Sequence, residues 1–366
     1  MKKLIVALWS VRTQQMQNVS LDTRVNALRS AAKRTSEVAT KEIAFGGGSL
    51  SDKPYALFVA PEYFIAMPAT GSDHRVGDQR HIEETEKELR LGQLKQISHD
   101  YKGIIFVPGT IAWRKPLVRS GAKLYHSKGS QVGQPKTVSR AEKAKDALQF
   151  YANRHQLGSH AQLSGPKNVG GGLVRNAPTT SQKLAALKDA GPLFSLGADY
   201  AARNTAYVLL DGDVRFKYNK QGDFHEVLKD DGTTVHIPGK LDGRFQMKTA
   251  NSSDRPIDFG IEICLDHVFQ TTAKEIPHLG QVDVHIISSA QVRERKDNVA
   301  VRPDGYLVHA CSNPDYTGVM KQNSSFIGSW LGKNETFHEE TVGGCPLLFW
   351  QIELDLTRRE GKSSDI

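Results

Sequence analysis

Side chains of three types suited to covalent catalysis stand at or near the ends of candidate strands. "FVAPEYF" carries Glu62 just past residues 55–59, "RFKYNK" carries Lys217 and Lys220, and "FGIEICLDH" carries Cys264 just past residues 257–263. A cysteine is a good nucleophile only when a nearby base or cation favours its thiolate. A carboxylate can take the thiol proton, and an ammonium can balance charge developing on an attacked carbonyl oxygen. Singly, each residue also has a plain structural reading. A free cysteine behaves as a small buried hydrophobe, and Glu and Lys ordinarily sit in solvent.

Positioning three such groups requires strands that deliver their ends to one place. Apolar runs of strand length occupy residues 4–11, 55–59, 104–107, 206–210, 257–263, 282–287 and 306–311. Their near-continuous apolar character predicts strands covered on both faces. Between them, Ser20 or Asp22 can cap a helix presenting Val25, Leu28, Ala31 and Ala32 on one face. A second helical stretch, "EETEKELRLGQLKQIS", presents Leu89, Leu91 and Leu94. Alternation of the two periods predicts an α/β fold.

At 366 residues, with 39% apolar and 24% charged side chains, the chain fits one elaborated domain spanning 1–366. "MKKLIVALWSV" imitates a secretion signal, but no small-residue cleavage site follows, and it reads as a first buried strand. No run approaches the roughly 18 apolar residues that cross a bilayer. Cys264, Cys311 and Cys345 are too few and too scattered for a disulfide framework, so a reducing, cytoplasmic setting is expected. They also lack zinc-ligand spacing, and no HExxH occurs, so no metal is expected; "HQLGSH" at 155–160 is the nearest approach. "GGGSLSDK" and "VGGGLVRN" lack the GKS/T ending of a phosphate loop and read as turns.

Taken together, the motifs resemble the nitrilase or carbon–nitrogen hydrolase superfamily, in its amidase-like branch. "FVAPEYF" is similar to the family's glutamate strand and "VPGT" to the strand end that follows. "ARNTAYVLLDGDVRFKYNK" is similar to the hairpin leading to its lysine, and "FGIEICLDH" to its nucleophile turn. The resemblance spans most of residues 1–330. It implies a four-layer αββα sandwich, Glu62 as general base, Lys220 as oxyanion stabiliser and Cys264 as nucleophile. It further implies a backbone N–H near Leu265 as oxyanion donor, Glu226 as a candidate second carboxylate, and Tyr63 and His267 as candidates for the substrate rim. Cys264-Leu265-Asp266 departs from the Cys-Trp-Glu of true nitrilases, which favours hydrolysis of a linear amide or carbamoyl bond through a thioester, without a cofactor. Glu262, two residues before Cys264, is expected on the same strand face. Asp266 and His267 also suit an orienting role in the turn. The family further implies a homodimer. Two other readings stay open: a catalytically idle binding module for an acidic partner, and a thiol-dependent acyltransferase.

Residues 114–203, rich in Lys, Ser, Gly and Gln, interrupt the strand–helix rhythm and are expected to be an insertion. Within 114–176, twelve Lys or Arg face only Glu142 and Asp146, a net +10 against +8 for the whole chain. Such a segment suits a lid or electrostatic funnel for an acidic small-molecule substrate or partner. Its few aromatics, Tyr125, Phe150 and Tyr151, disfavour nucleic acid.

Overall fold

The computed structural model describes residues 1–13, 19–47, 49–67, 81–119, 124–126, 200–221, 234–236, 239, 243–268, 271–273, 281–325 and 330–357. Glu226 and most of the 114–203 segment lie outside the described residues.

In chain order the elements are β1 (Lys2–Trp9), α1 (Leu21–Phe45), β2 (Ala56–Val59), β3 (Ile82–Glu83), α2 (Glu84–Asp100), β4 (Ile104–Val107) and β5 (Thr110–Arg119). There follow β6 (Leu124–His126), β7 (Tyr200–Leu210), β8 (Asp213–Asn219), β9 (Thr234–His236), β10 (Arg244–Met247), β11 (Ile257–Ile263) and α3 (Leu265–Val268). The chain continues through β12 (Val282–Ser289), β13 (Val301–Cys311), β14 (Gly318–Gln322), β15 (Trp330–Lys333), β16 (His338–Val342) and β17 (Cys345–Leu354). The architecture is mixed α/β and mostly sheet.

One sheet runs β16-β17-β1-β2-β4-β7-β5-β3 and the other β10-β11-β12-β13-β14-β15. Strands β1, β2 and β4 are parallel, as are β11, β12 and β13. Antiparallel strands flank both trios.

The apolar runs divide by alternation. Ile5, Ala7 and Trp9 of β1 join Ala56, Phe58, Ile104 and Phe106 in a core shared with α1 and α2. Leu4, Val6 and Leu8 join Leu57, Val59, Ile105 and Val107 in a core shared with Ile257, Phe259, Ile261 and Ile263 of the second sheet. Both faces of these strands are dry, which is why their sequences show no polar alternation. Among the described residues no helix longer than α3 follows β10, so three layers are seen: helices, sheet, sheet.

Ser20, not Asp22, caps α1: its side chain accepts from the Thr23 N–H. The buried side of α2 comprises Lys87, Arg90, Leu94, Ile97 and Ser98, while Leu89 is 55% exposed. Spacing explains the difference from the expected apolar face, because 87, 90, 94 and 97 recur every three or four residues and 89 falls off that stripe. Antiparallel β17 pairs with β1 along its full length. Its hairpin with β16 turns at Gly343 and Gly344, both with positive φ, as a two-residue turn between Val342 and Cys345 requires. Among the described residues, no helix is long and apolar enough to cross a membrane.

Candidate active site

The C-terminal ends of β2, β11 and β12 meet where the two sheets face each other. Adjacent carbonyls at the end of β12 hold the other two: Ser288 O accepts from the Cys264 N–H at 3.0 Å, and Ser289 O from the Glu62 N–H at 3.4 Å. The Ser288 hydroxyl also donates to Ala60 O at 3.0 Å. One strand end thereby fixes the glutamate loop and the cysteine turn relative to each other. Gly109, in "VPGT", supports the same loop from behind. It has φ +80°, and a Cβ there would lie 2.2 Å from Pro61 O, so only glycine allows this approach.

Lys220 reaches the site by the alternation of the β7–β8 hairpin. Tyr207 pairs with Lys217 and Ala206 with Tyr218, so beyond a bulge that leaves Val214 on the helix side, odd-numbered β8 residues face the helices and even-numbered ones face the second sheet. Lys220, just past the strand, follows the even face. Its N–H donates to Asn204 O at 2.8 Å, and its ammonium lies 2.8 Å from Glu62 Oε1. The Asn204 amide donates to the same Oε1 at 2.8 Å, while the buried Glu62 Oε2 has no hydrogen-bond partner among the described residues. Glu62 and Lys220 are wholly buried and Cys264 is 8% exposed. Burial by itself would lower the Lys220 ammonium, but Glu62, Cys264 and Asp266 outweigh it and hold it above the usual lysine range.

Cys264 itself has φ +51°, a left-handed conformation rare outside glycine. This kink ends β11 and places Cys264 in the inter-sheet core with Ile261 and Ile263. Glu262 therefore does not share its face, contrary to expectation. The alternation that would pair them stops at the kink. The Leu265 N–H, at the start of the one-turn α3, makes no backbone hydrogen bond among the described residues. Asp266 is buried, and its Oδ2 accepts from the Tyr218 hydroxyl at 2.7 Å and the Gln221 N–H at 3.0 Å. Burial pushes its carboxyl up to about 7 against the pull of Lys220 and these donors.

Tyr63 is nearly buried, with φ +59° and its ring centroid 5.8 Å from the Lys220 ammonium. His267, expected at the rim, is instead wholly buried behind the turn. Its Nε2 accepts from the Arg295 N–H at 3.0 Å, which places its proton on Nδ1, 2.9 Å from Glu262 Oε2. On the other side, His285 Nδ1 accepts from the Ala300 N–H at 3.2 Å, and its Nε2 lies 3.1 Å from the same Oε2 without the alignment of a hydrogen bond. The Thr272 N–H donates to Glu262 Oε1 at 2.6 Å. Despite full burial, which alone would raise it, the Glu262 carboxyl is held far below the usual range by the two histidines.

Sequence reasoning missed this group, because His285 lies on a different strand. Glu262, His267 and His285 bring their ligand-type atoms within 4.8 Å of one another, as a metal site would. The outer nitrogens decide against that use. A metal-bound imidazole donates its second N–H outward, whereas here both second nitrogens face backbone N–H donors and must accept. The group holds protons and ties the nucleophile turn to the 295–300 segment, where the Asn298 amide also donates to His267 O at 2.9 Å.

No protein-family model matches the chain, and no curated protein matches it. Among solved structures, it is similar to a glutamine-dependent NAD+ synthetase from Acinetobacter baumannii in complex with ADP. That match has a TM-score of 0.41 and 14% identity, over 96% of this chain and 46% of the other. A glutamine-dependent NAD(+) synthetase from Cytophaga hutchinsonii matches with a TM-score of 0.36 and 10% identity, over 96% of this chain and 43% of the other. The chain thus spans less than half the length of either structure.

Proposed function

We propose that this chain is a carbon–nitrogen hydrolase of the nitrilase type, cleaving a linear amide or carbamoyl bond through a thioester on Cys264. The observation that carries the reading is the asymmetry of Glu62. Oε1 is occupied by Lys220 and Asn204, and Oε2 is buried without a partner among the described residues, which suits it to take and return a proton.

In this mechanism Glu62 Oε2 takes the thiol proton as Cys264 Sγ bonds to the amide carbon. The Lys220 ammonium and the Leu265 N–H balance the negative charge on the former carbonyl oxygen. Glu62 returns the proton to the amide nitrogen, the C–N bond breaks, and the amine leaves a thioester. Water attacks that thioester while Glu62 accepts its proton; the C–S bond breaks, the acid departs and the thiol is reprotonated. These residues complete the cycle without a cofactor. Asp266 orients Lys220 through the hydrogen bonds its carboxylate accepts from Tyr218 and Gln221 on either side of that lysine.

The same reading carries a four-layer αββα domain over 1–366 with 114–203 as an insertion, a cytoplasmic homodimer, and an acidic amide as substrate. Intact-mass measurement after incubation with an amide library tests it. An acyl adduct that is present in the wild type and absent from C264A is expected. Release to water supports hydrolysis, and capture by added amines would reassign the reaction to acyl transfer. No adduct with any amide would refute the mechanism.

A further inference from the structure

The helix-side face of the β5–β7–β8 hairpins carries a second set of charges that this mechanism leaves unused. Trp113 lies directly opposite Arg203, and Tyr207 opposite Lys217, so these four side chains share one face. The ring of Trp113 is held in place by its indole N–H, which donates to Thr205 Oγ1 at 2.9 Å. The Lys87 ammonium, from α2, stands 4.3 Å from the Trp113 centroid. The Lys217 ammonium stands 5.8 Å from the same centroid and 5.7 Å from that of Tyr207. Lys115, two residues beyond Trp113, joins the face and is mostly buried. Four cations are thus gathered around two aromatic rings. Among the described residues, Glu88 is the acid that acts on Lys217; it is paired with Lys87 and is itself mostly exposed.

Arg203 and Lys217 are both half-buried, and among the described residues neither side chain makes a hydrogen bond or ion pair. Crowding cations while removing their water is unfavourable unless an anion balances them. Burial, together with Lys87, Arg203 and Lys115, weakens the hold of Lys217 on its proton. We propose that this face is a binding site for a small, multiply charged oxyanion of the phosphate class, separate from the catalytic pocket. A tetrahedral oxyanion accepts from several directions at once, matching the planar fork of Arg203 and the point charges of the lysines. Asn204 and Tyr218, the sequence neighbours of Arg203 and Lys217, point to the opposite, inter-sheet face. The bound anion therefore lies across the sheet from Glu62 and Lys220.

Inorganic pyrophosphate titrated into the full chain at constant ionic strength tests this by calorimetry and tryptophan emission. Saturable binding is expected, weakened about tenfold in K217M and in R203M, as loss of one charged hydrogen bond implies. Methionine keeps the aliphatic stem, and circular dichroism verifies that both variants are folded. The C264A chain should bind as the wild type does, so the result stands apart from the proposed hydrolysis. A response reproduced by sodium chloride, or affinity unchanged in both variants, would overturn the site. Malonate binding as tightly as pyrophosphate would overturn the phosphate class.

Discussion

Replacing Glu262 with Gln preserves shape and removes a buried charge, yet the structure predicts a large loss of stability. The carboxylate accepts from the Thr272 N–H on Oε1 and the His267 Nδ1–H on Oε2, and His285 Nε2 stands 3.1 Å from Oε2 without the alignment of a hydrogen bond. An amide offers one acceptor and one NH2 group. Neither histidine can turn its proton away, because the Arg295 and Ala300 N–H groups occupy the opposite nitrogens. With the amide oxygen towards the histidines, the NH2 group meets the Thr272 N–H across a former 2.6 Å contact. Flipped, it opposes two imidazole protons. At least one charge-assisted bond is lost, worth ~1.5–3 kcal/mol, and one buried donor is left unmet, worth ~1–3 kcal/mol. Relief of charge desolvation offsets part of this. The expected net loss is about 2–4 kcal/mol, read from urea unfolding near neutral pH with coincident fluorescence and circular dichroism transitions. Because His267 anchors the turn bearing Cys264, acylation should slow in the folded variant as well. A loss below about 0.5 kcal/mol, the range of ordinary surface substitutions, would refute the assignment of protons in this group.

K220M should abolish acylation in single-turnover assays, while K217M should turn over an activated ester at the wild-type rate; the reverse outcome would exchange the two lysines. G109A should destabilise the chain by about 2 kcal/mol or more, because a left-handed alanine costs ~1–2 kcal/mol before the clash with Pro61 O is resolved; an unchanged urea midpoint would contradict this. Burial lowers His267 and takes His309 down to about 3, so the unfolded chain binds protons that the folded chain does not. Stability should therefore fall as pH drops from the ordinary histidine value of about 6.5 towards 3, and less steeply in H309N. Asp266 has the opposite sign. Raised to about 7, it favours the folded chain in acid and loses that contribution as pH rises from about 4 to about 7, so D266N should gain on the wild type across that window.

Much of the scaffold was legible in one dimension, because a strand with both faces buried must be apolar at every position. Residues 104–107 and 257–263 emerge as strands with the bounds their composition suggests, and the runs around 4–11 and 55–59 differ by a residue or two. The residue types at their ends, Glu62 and Cys264, likewise mark a candidate site from sequence alone. What composition could not supply was register and backbone kink. By residue type alone Lys217 and Lys220 are alike, and only the family resemblance favours Lys220; pairing of β8 with β7 turns Lys220 to Glu62 and Lys217 to Trp113. Strand β17 joins β1 across almost the whole chain, a pairing no local pattern encodes. Glu262 and His285 meet because parallel β11 and β12 set Gly260 opposite His285 and Glu262 opposite Ile287, which puts both side chains on one face. The positive φ of Cys264 then sends the thiol to the other side of the sheet. Residue type and spacing are local and survive in the sequence, whereas partners across a sheet depend on hydrogen-bond register between distant segments and exist only once the chain has folded.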